Sequence, residues 1–366
     1  MNFQSRTLRS LAVVIALGVL LHFLTGGTFS EARNLTNLTR QVAINGILAI
    51  GMTYVILIGG IDLSVGSVVA LCGIAAGLSE VRMGWGVPAS VAAAVISGLV
   101  IGAFNGWMIT RYRIAPFIIT LGMMVIARGA ALIFSDGAAI APTSDAFNEL
   151  GQGYLAVMPT LVICGLVFGS VFYRTLRGKG PWSRRLPTLV GGAALAGGAA
   201  HVFGNYNGFP FPVLVFSLLA LGGSFVLERT RIGRFTFAIG GNAEAAWLAG
   251  VPIRKLTLGI YTAMGALSGL CGAILTARLN GALPTAGELF ELDAVAAVVI
   301  GGTSLQGGSG SVSGSILGAF LIGTLNNGMS LMAIPEFYQK VIKGVIIVLA
   351  VWIDTRSKAP AASPTR

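Results

Sequence analysis

Residues 41–60 read Gln41-Val-Ala-Ile-Asn45-Gly-Ile-Leu-Ala-Ile-Gly-Met-Thr-Tyr-Val-Ile-Leu-Ile-Gly59-Gly60, and the chain continues Ile61-Asp62-Leu63-Ser64-Val65-Gly66-Ser67. The first stretch carries no charge and reaches the roughly 20 apolar residues a helix needs to cross the hydrocarbon core of a bilayer. Gly59-Gly60 then ends it, and a second apolar helix opens at about Ser64. An uncharged span, a glycine break and a new span in immediate succession point to a polytopic membrane protein. The same arrangement returns near the other end, where Gly301-Gly302-Thr303-Ser304-Leu305-Gln306-Gly307-Gly308 follows the apolar run 292–300. After each break come an apolar helix ending near Asn-Gly (Asn105-Gly106; Asn327-Gly328) and a proline-headed helix (Pro116; Pro335). Matched glycine-broken helices are the mark of an internal repeat in transporters, with the breaks near the translocation path.

Outward from these stretches the composition agrees. Of 366 residues, 55% are hydrophobic and 10% charged, where a soluble domain carries about 25% charged residues; mean hydropathy is +0.83. Apolar spans fall near 11–24, 41–60, 64–80, 87–109, 116–134, 155–173, 187–203, 212–227, 256–277, 291–303, 311–333 and 339–354. The net charge of +11 is gathered between them, at Arg111/Arg113, Arg174 to Arg185, Arg229 to Arg234 with Arg254/Lys255, and Arg356/Lys358. With the N-terminus inside, alternation places all of these loops in the cytoplasm, and it places 135–154, which has no Lys or Arg, outside. This is a positive-inside pattern and not a nucleic-acid surface. The expected fold is all-α, with about 12 transmembrane segments and two pseudo-repeats with glycine-broken helices. Short spans such as 291–303 are expected to be re-entrant or half-crossing.

Enzyme signatures are missing. Gly178-Lys179-Gly180 lacks the spacing and hydroxyl of a phosphate-binding loop, and Gly308-Ser309-Gly310 lacks the third glycine of a dinucleotide fingerprint. Cys72, Cys164 and Cys271 sit singly in apolar spans, and His22 and His201 are isolated, so neither a metal nor a cofactor is expected. Segment 228–255 is the most informative polar piece. In it Asn242 caps a short helix over Glu244–Leu248 that Gly250 stops. Flanked by arginines, that helix suits docking on a soluble partner or lying on anionic lipid.

An ionisable side chain in hydrocarbon is costly and faces a cavity or a partner. Asp62 is expected to cap the helix opening at Ser64, and Arg128 to pair across helices, with Asp62 as a candidate, or to line the path. Asn45, Asn105, Thr120, Asn326 and Asn327 are neutral hydrogen-bonders open to two uses, contact with a passing polyol or interhelical bonding. Gly98-x-x-x-Gly102, Gly265-x-x-x-Gly269 and Gly314-x-x-x-Gly318 permit close helix packing. Apart from Asp62 and Arg128 the spans read as nearly free of ionisable groups, which suits a neutral cargo moved by energy from elsewhere. An ion-gradient secondary transporter is the competing class.

Several ordered stretches carry a family resemblance: Gly60-Ile-Asp-Leu-Ser-Val-Gly-Ser67, Pro116-Phe-Ile-Ile-Thr-Leu-Gly122, Arg231-x-Gly-Arg with Ala238-Ile-Gly-Gly-Asn-x-Glu-Ala-Ala246, and Glu291-Leu-Asp-Ala with Gly301-Gly-Thr-Ser-Leu-x-Gly-Gly308. Together, over about 33–354, they resemble the permease subunit of bacterial sugar ABC importers, in the ribose/xylose/galactose branch, with a fold like that of the type II, vitamin B12-type importers. Ala141-Pro-Thr-Ser144, Gly151-Gln-x-x-Leu155, the extra hydrophobic hairpin 155–203 and Ala350-Val-Trp-Ile-Asp354 resemble the xylose-transporting members. The resemblance implies a single permease domain over 1–354 in the inner membrane, with a cytoplasmic tail at 355–366. Its implied partners are a cytoplasmic ATP-binding subunit, a periplasmic sugar-binding protein, a second copy of the chain and membrane lipid. It makes 228–255 a coupling loop, in which the ATPase would grip Gly240, Gly241, Asn242, Glu244, Ala245, Ala246, Leu248 and Gly250. Asn45, Asp62, Ser64, Asn105, Thr120, Arg128, Asn326 and Asn327 are the candidate lining of the sugar path.

Overall fold

The computed structural model describes residues 3–177 and 182–358. The tip of the basic loop at 178–181 and most of the expected tail, from 359 on, lie outside the described residues. The N-terminal half comprises α1 (Phe3–Leu24), α2 (Ala32–Leu57), α3 (Val65–Gly77), α4 (Val87–Tyr112), α5 (Pro116–Ser135) and the short α6 (Asp145–Gln152). The hydrophobic hairpin follows as α7 (Val157–Arg177) and α8 (Trp182–Gly204), then α9 (Phe211–Arg229). After it come α10 (Arg231–Gly241), α11 (Ala243–Leu248), α12 (Ile253–Leu279), α13 (Phe290–Ile300), α14 (Val312–Leu331) and α15 (Glu336–Lys358). Among the described residues six helices are long and apolar enough to cross a membrane: α2, α4, α5, α9, α12, and α3 with the π-helical turn Leu78–Arg82 that extends it.

Helix α2 is the axis of the molecule. It is apolar on every side, which is the pattern of a helix surrounded by protein, and Val42, Ile47, Leu48, Met52 and Leu57 are wholly buried. It starts well before the expected residue 41, because the polar turn at its N-terminus is tied down. There Thr36 Oγ1 donates to the Ala32 carbonyl, and Asn34 exchanges hydrogen bonds with Asn327 at 2.9 and 3.0 Å. Helices α9, α12, α13 and α14 pack around α2.

The three small-residue stripes are all used within the chain. A methyl group on Gly98 would meet the Gly265 carbonyl oxygen and one on Gly265 the Gly98 carbonyl, so α4 and α12 touch backbone to backbone. Gly314 and Gly318 of α14 lie likewise against Gly301 and Ala297. The hairpin α7–α8 packs chiefly on itself and leans on α2. Its neck is closed by two-residue antiparallel strands, Tyr154–Leu155 and Phe209–Pro210, which are a small β addition to a helical fold.

Segments far apart in sequence meet at two places. At one end the Leu57 carbonyl accepts from Gly308 N at 3.0 Å, which joins the two glycine breaks. At the other, Ile140 and Ala282 form a β-bridge, and Asn148 Nδ2 donates to Asn280 Oδ1 at 2.8 Å. Beyond the breaks the two copies diverge. Two helices, α3 and α4, separate the first break from the Pro116 helix, whereas α14 alone separates the second from the Pro335 helix. Asn105 and Asn327 therefore sit on helices of different rank.

Candidate functional site

The first glycine break folds into a compact polar turn. Asp62 Oδ1 accepts from Ser64 N at 2.9 Å and from Ser64 Oγ at 2.6 Å. Asn105 Nδ2 reaches over from α4 to donate to the same hydroxyl at 3.2 Å, and Thr120 Oγ1 of α5 donates to the Ile61 carbonyl at 3.2 Å. Four predicted residues, Asp62, Ser64, Asn105 and Thr120, are thus brought together from three elements, and all are buried. The expected cap is not formed: Ser64 is itself the residue before α3, and Asp62 bonds its N–H, so the carboxylate braces the turn and not the helix. Tyr261 closes the turn from α12. It was missed by sequence reasoning, and a methyl group on Gly60 would stand 2.5 Å from its hydroxyl. Asn45 is buried apart from this group, on α2, and its Oδ1 accepts no hydrogen bond among the described residues.

Arg128 does not pair with Asp62. Its guanidinium donates to the carbonyls of Pro284 and Ala286 at 2.5 and 2.9 Å. Asp62 bonds Ser64 within its own turn, and a segment distant in sequence supplies Arg128 with acceptors. That segment, 280–289, has no regular helix and leads into the short α13. Where Gly287 packs on Gly66, neither residue has room for a side chain, and the Glu291 carboxylate lies against Gly66 as well.

The reading that the spans are nearly free of ionisable groups is also corrected. Asp293 on α13 and Lys343 on α15 pair at 3.2 Å with side chains 5% and 20% exposed, and Asn326 Nδ2 donates to the same Asp293 oxygen at 3.3 Å. One turn outward Lys340 pairs with Glu288 at 3.0 Å. The sequence signal was available, since Glu291-Leu-Asp293 and Lys343 interrupt otherwise apolar runs. Asn327 does not join this group: it bonds Asn34 across α14 and α2.

On the basic side, 231–241 is no loop. It forms α10, whose buried face of Gly233, Thr236 and Ile239 seats it against the bundle. Asn242 caps α11 as expected, its Oδ1 accepting from Ala245 N at 2.9 Å, and Gly250 stops the helix with φ +79°. The predicted coupling residues then separate into two sets. Gly241, Asn242, Glu244, Ala245, Leu248 and Gly250 are exposed, together with Trp247. Ala246 is buried against Ile239 and Val251, and Gly240 is pressed between Leu57 and Gly308. Beside α11 a cleft of about 600 Å³ is lined by Arg113, Pro116, Trp247 and Arg254. Among the described residues no group of His, Cys, Asp or Glu is placed to hold a metal ion.

The family described as "Branched-chain amino acid transport system / permease component" matches residues 34–351. The xylose transport system permease protein of Escherichia coli K12 is 41% identical over 358 residues, covering 95% of this chain and 91% of the relative. That of Haemophilus influenzae is 39% identical over 370 residues, covering 98% and 99%. The ribose import permease protein of Bacillus subtilis is 38% identical over 348 residues, covering 91% and 88%. No solved structure matches the chain.

Proposed function

Because the chain belongs to the branched-chain amino acid transport system / permease component family, we propose that it is the membrane-spanning permease of an ATP-driven sugar importer whose cargo is D-xylose. The observation that carries this reading is the likeness to xylose permeases along 95% of the chain or more. The family's description names amino acids, but the relatives named here are sugar permeases, so the cargo class is taken from them. Ribose is the second cargo, on the strength of the ribose relative. The chain is no enzyme. ATP is hydrolysed by a separate cytoplasmic subunit, and a binding protein on the outer side delivers the sugar.

The working unit in this reading is two copies of the chain in the lipid of the inner membrane, with one ATPase subunit docked on each. The docking surface is the exposed side of α11 with its neighbouring cleft. An amphipathic or apolar helix seated in a groove is a common recognition mode, and Trp247 and Leu248, 67% and 73% exposed, supply the apolar contact. Movement of α10–α11 would reach the core through the glycine breaks, opening the central cavity to one side and then the other. The Asp62–Ser64–Asn105–Thr120 turn holds the first break in shape and is a hinge support more than a sugar site, since its hydrogen bonds are internal.

The test is uptake of labelled D-xylose with and without the chain, under a protonophore and under ATP depletion. Uptake should require the chain, survive the protonophore and stop with ATP. Loss with the protonophore alone would assign an ion-coupled carrier instead. Xylose uptake that does not depend on the chain would move the cargo to ribose.

A further inference from the structure

Among the described residues, segment 280–289 sets irregular backbone level with the interior turns of α5 and α15, beside exposed polar side chains. Its depth is fixed by what it touches. Arg128, which binds the carbonyls of Pro284 and Ala286, lies seven residues before the outer end of α5 at Ser135. At roughly 1.5 Å per residue that is about 10 Å along the helix from its outer end. Lys343 stands at a similar level on α15, seven residues in from Glu336. Segment 280–289 thus starts at the outer end, where Asn280 bonds Asn148, and dips toward the middle of the bilayer before α13 begins.

Lipid cannot satisfy irregular backbone, so such a segment is tolerated only inside protein or along a water-filled cavity. Pro284 and Gly287 are buried, but Leu283, Thr285 and Glu288 are exposed. Charges give a second, independent argument. Glu288 and Lys340 have side chains 60% and 42% exposed, and the Asp293–Lys343 pair sits one turn deeper on the same side. A charge below the headgroups and out of reach of water is costly, and more so the deeper it sits. A re-entrant backbone and an exposed ion pair on one surface are incompatible with lipid there.

We infer that segment 280–289, with Arg128 of α5 on one side and Lys340 and Lys343 of α15 on the other, walls a water-filled passage that opens outward and leads a neutral polyol to mid-membrane. Paired charges suit such a wall: Glu288 with Lys340 and Asp293 with Lys343 neutralise each other, and Arg128 is held by backbone carbonyls, which leaves donors and acceptors for hydroxyl groups. The inference rests on the transporter reading above and assigns a route to it.

Cysteine labelling tests it in the assembled complex in intact cells. Cys72, Cys164 and Cys271 are buried, so the unsubstituted chain gives the blank. Thr285→Cys, Glu288→Cys and Lys340→Cys are compared with Leu221→Cys, which is 70% exposed on the peripheral α9. A charged, membrane-impermeant methanethiosulfonate added outside should modify the first three at least tenfold faster than Leu221→Cys. Equal rates would mean that lipid covers the segment, and no modification by either impermeant or permeant reagents would mean that protein does; each overturns the inference. If one variant fails to reach the membrane, the other two decide. Labelling reads water access whatever the cargo, so its failure leaves sugar uptake standing, and a failed uptake assay leaves the labelling result standing.

Discussion

Asn326 and Asn327 are consecutive on α14, and a helix turns about 100° between them, so they serve different neighbours. Asn327 exchanges two amide hydrogen bonds with Asn34, whereas Asn326 donates to Asp293, whose carboxylate also holds Lys343. Asn327 is therefore interhelical bonding and not path lining. Asn327→Ala should lower the stability of the purified permease by about 1 kcal/mol, the scale of a hydrogen bond between membrane helices, while leaving xylose uptake near normal. Thermal unfolding in detergent, run beside an uptake assay, reads both. Lost uptake with an unchanged melting temperature would return Asn327 to the path. Sequence alone listed both asparagines as polar groups in an apolar helix and had no means of separating them, because the partners are some 293 and 33 residues away.

Helices α4 and α12 form the tightest seam, and it is made of glycine. A Cβ at Gly98, Gly102, Gly265 or Gly269 would run into the backbone of the facing helix, so no rotamer change can relieve it. Gly129 of α5 has nothing within 4 Å of the same position. Gly265→Leu should then force the helices apart, in the manner of an overpacked core that loses about 1–3 kcal/mol or more, and should sharply reduce the folded permease recovered. Gly129→Ala should be neutral. Size-exclusion profiles of the two variants distinguish them, and a well-behaved Gly265→Leu protein would refute the seam. The G-x-x-x-G spacing was legible in the sequence, but which stripe meets which was not. Likewise α10 was read as loop, because Gly233, Gly240 and Gly241 break its helical signal, yet Gly233 and Gly240 are there to let backbone approach.

Across the whole molecule, the α10–α11 segment and the two glycine breaks share one junction. Gly308 N donates to the Leu57 carbonyl, and Gly240 stands so close to both that a methyl group would strike the Leu57 oxygen and Gly308 N. Gly241, the next residue, has open space. Gly240→Ala should therefore disturb the core and lower uptake by itself. Gly241→Ala should be tolerated, and Gly241→Trp should block uptake by obstructing the ATPase while the permease itself stays folded. Uptake, membrane level and ATPase co-purification, measured on the three variants, separate a packing fault from a docking fault; equal behaviour of Gly240→Ala and Gly241→Ala would remove the junction from the mechanism. The sequence by itself determined that the chain is a many-helix membrane protein, and where the glycine breaks and the Asn242 cap fall. Those properties are set by local composition, by the cost of carrying charge across a bilayer, and by hydrogen bonds a few residues long. Only the tertiary structure decided that Arg128 binds the Pro284 and Ala286 carbonyls and not Asp62, and that Asp293 pairs with Lys343. Those contacts join residues 50 to 158 positions apart, and in a low-dielectric interior each charged group takes whichever partner the packing of whole helices delivers.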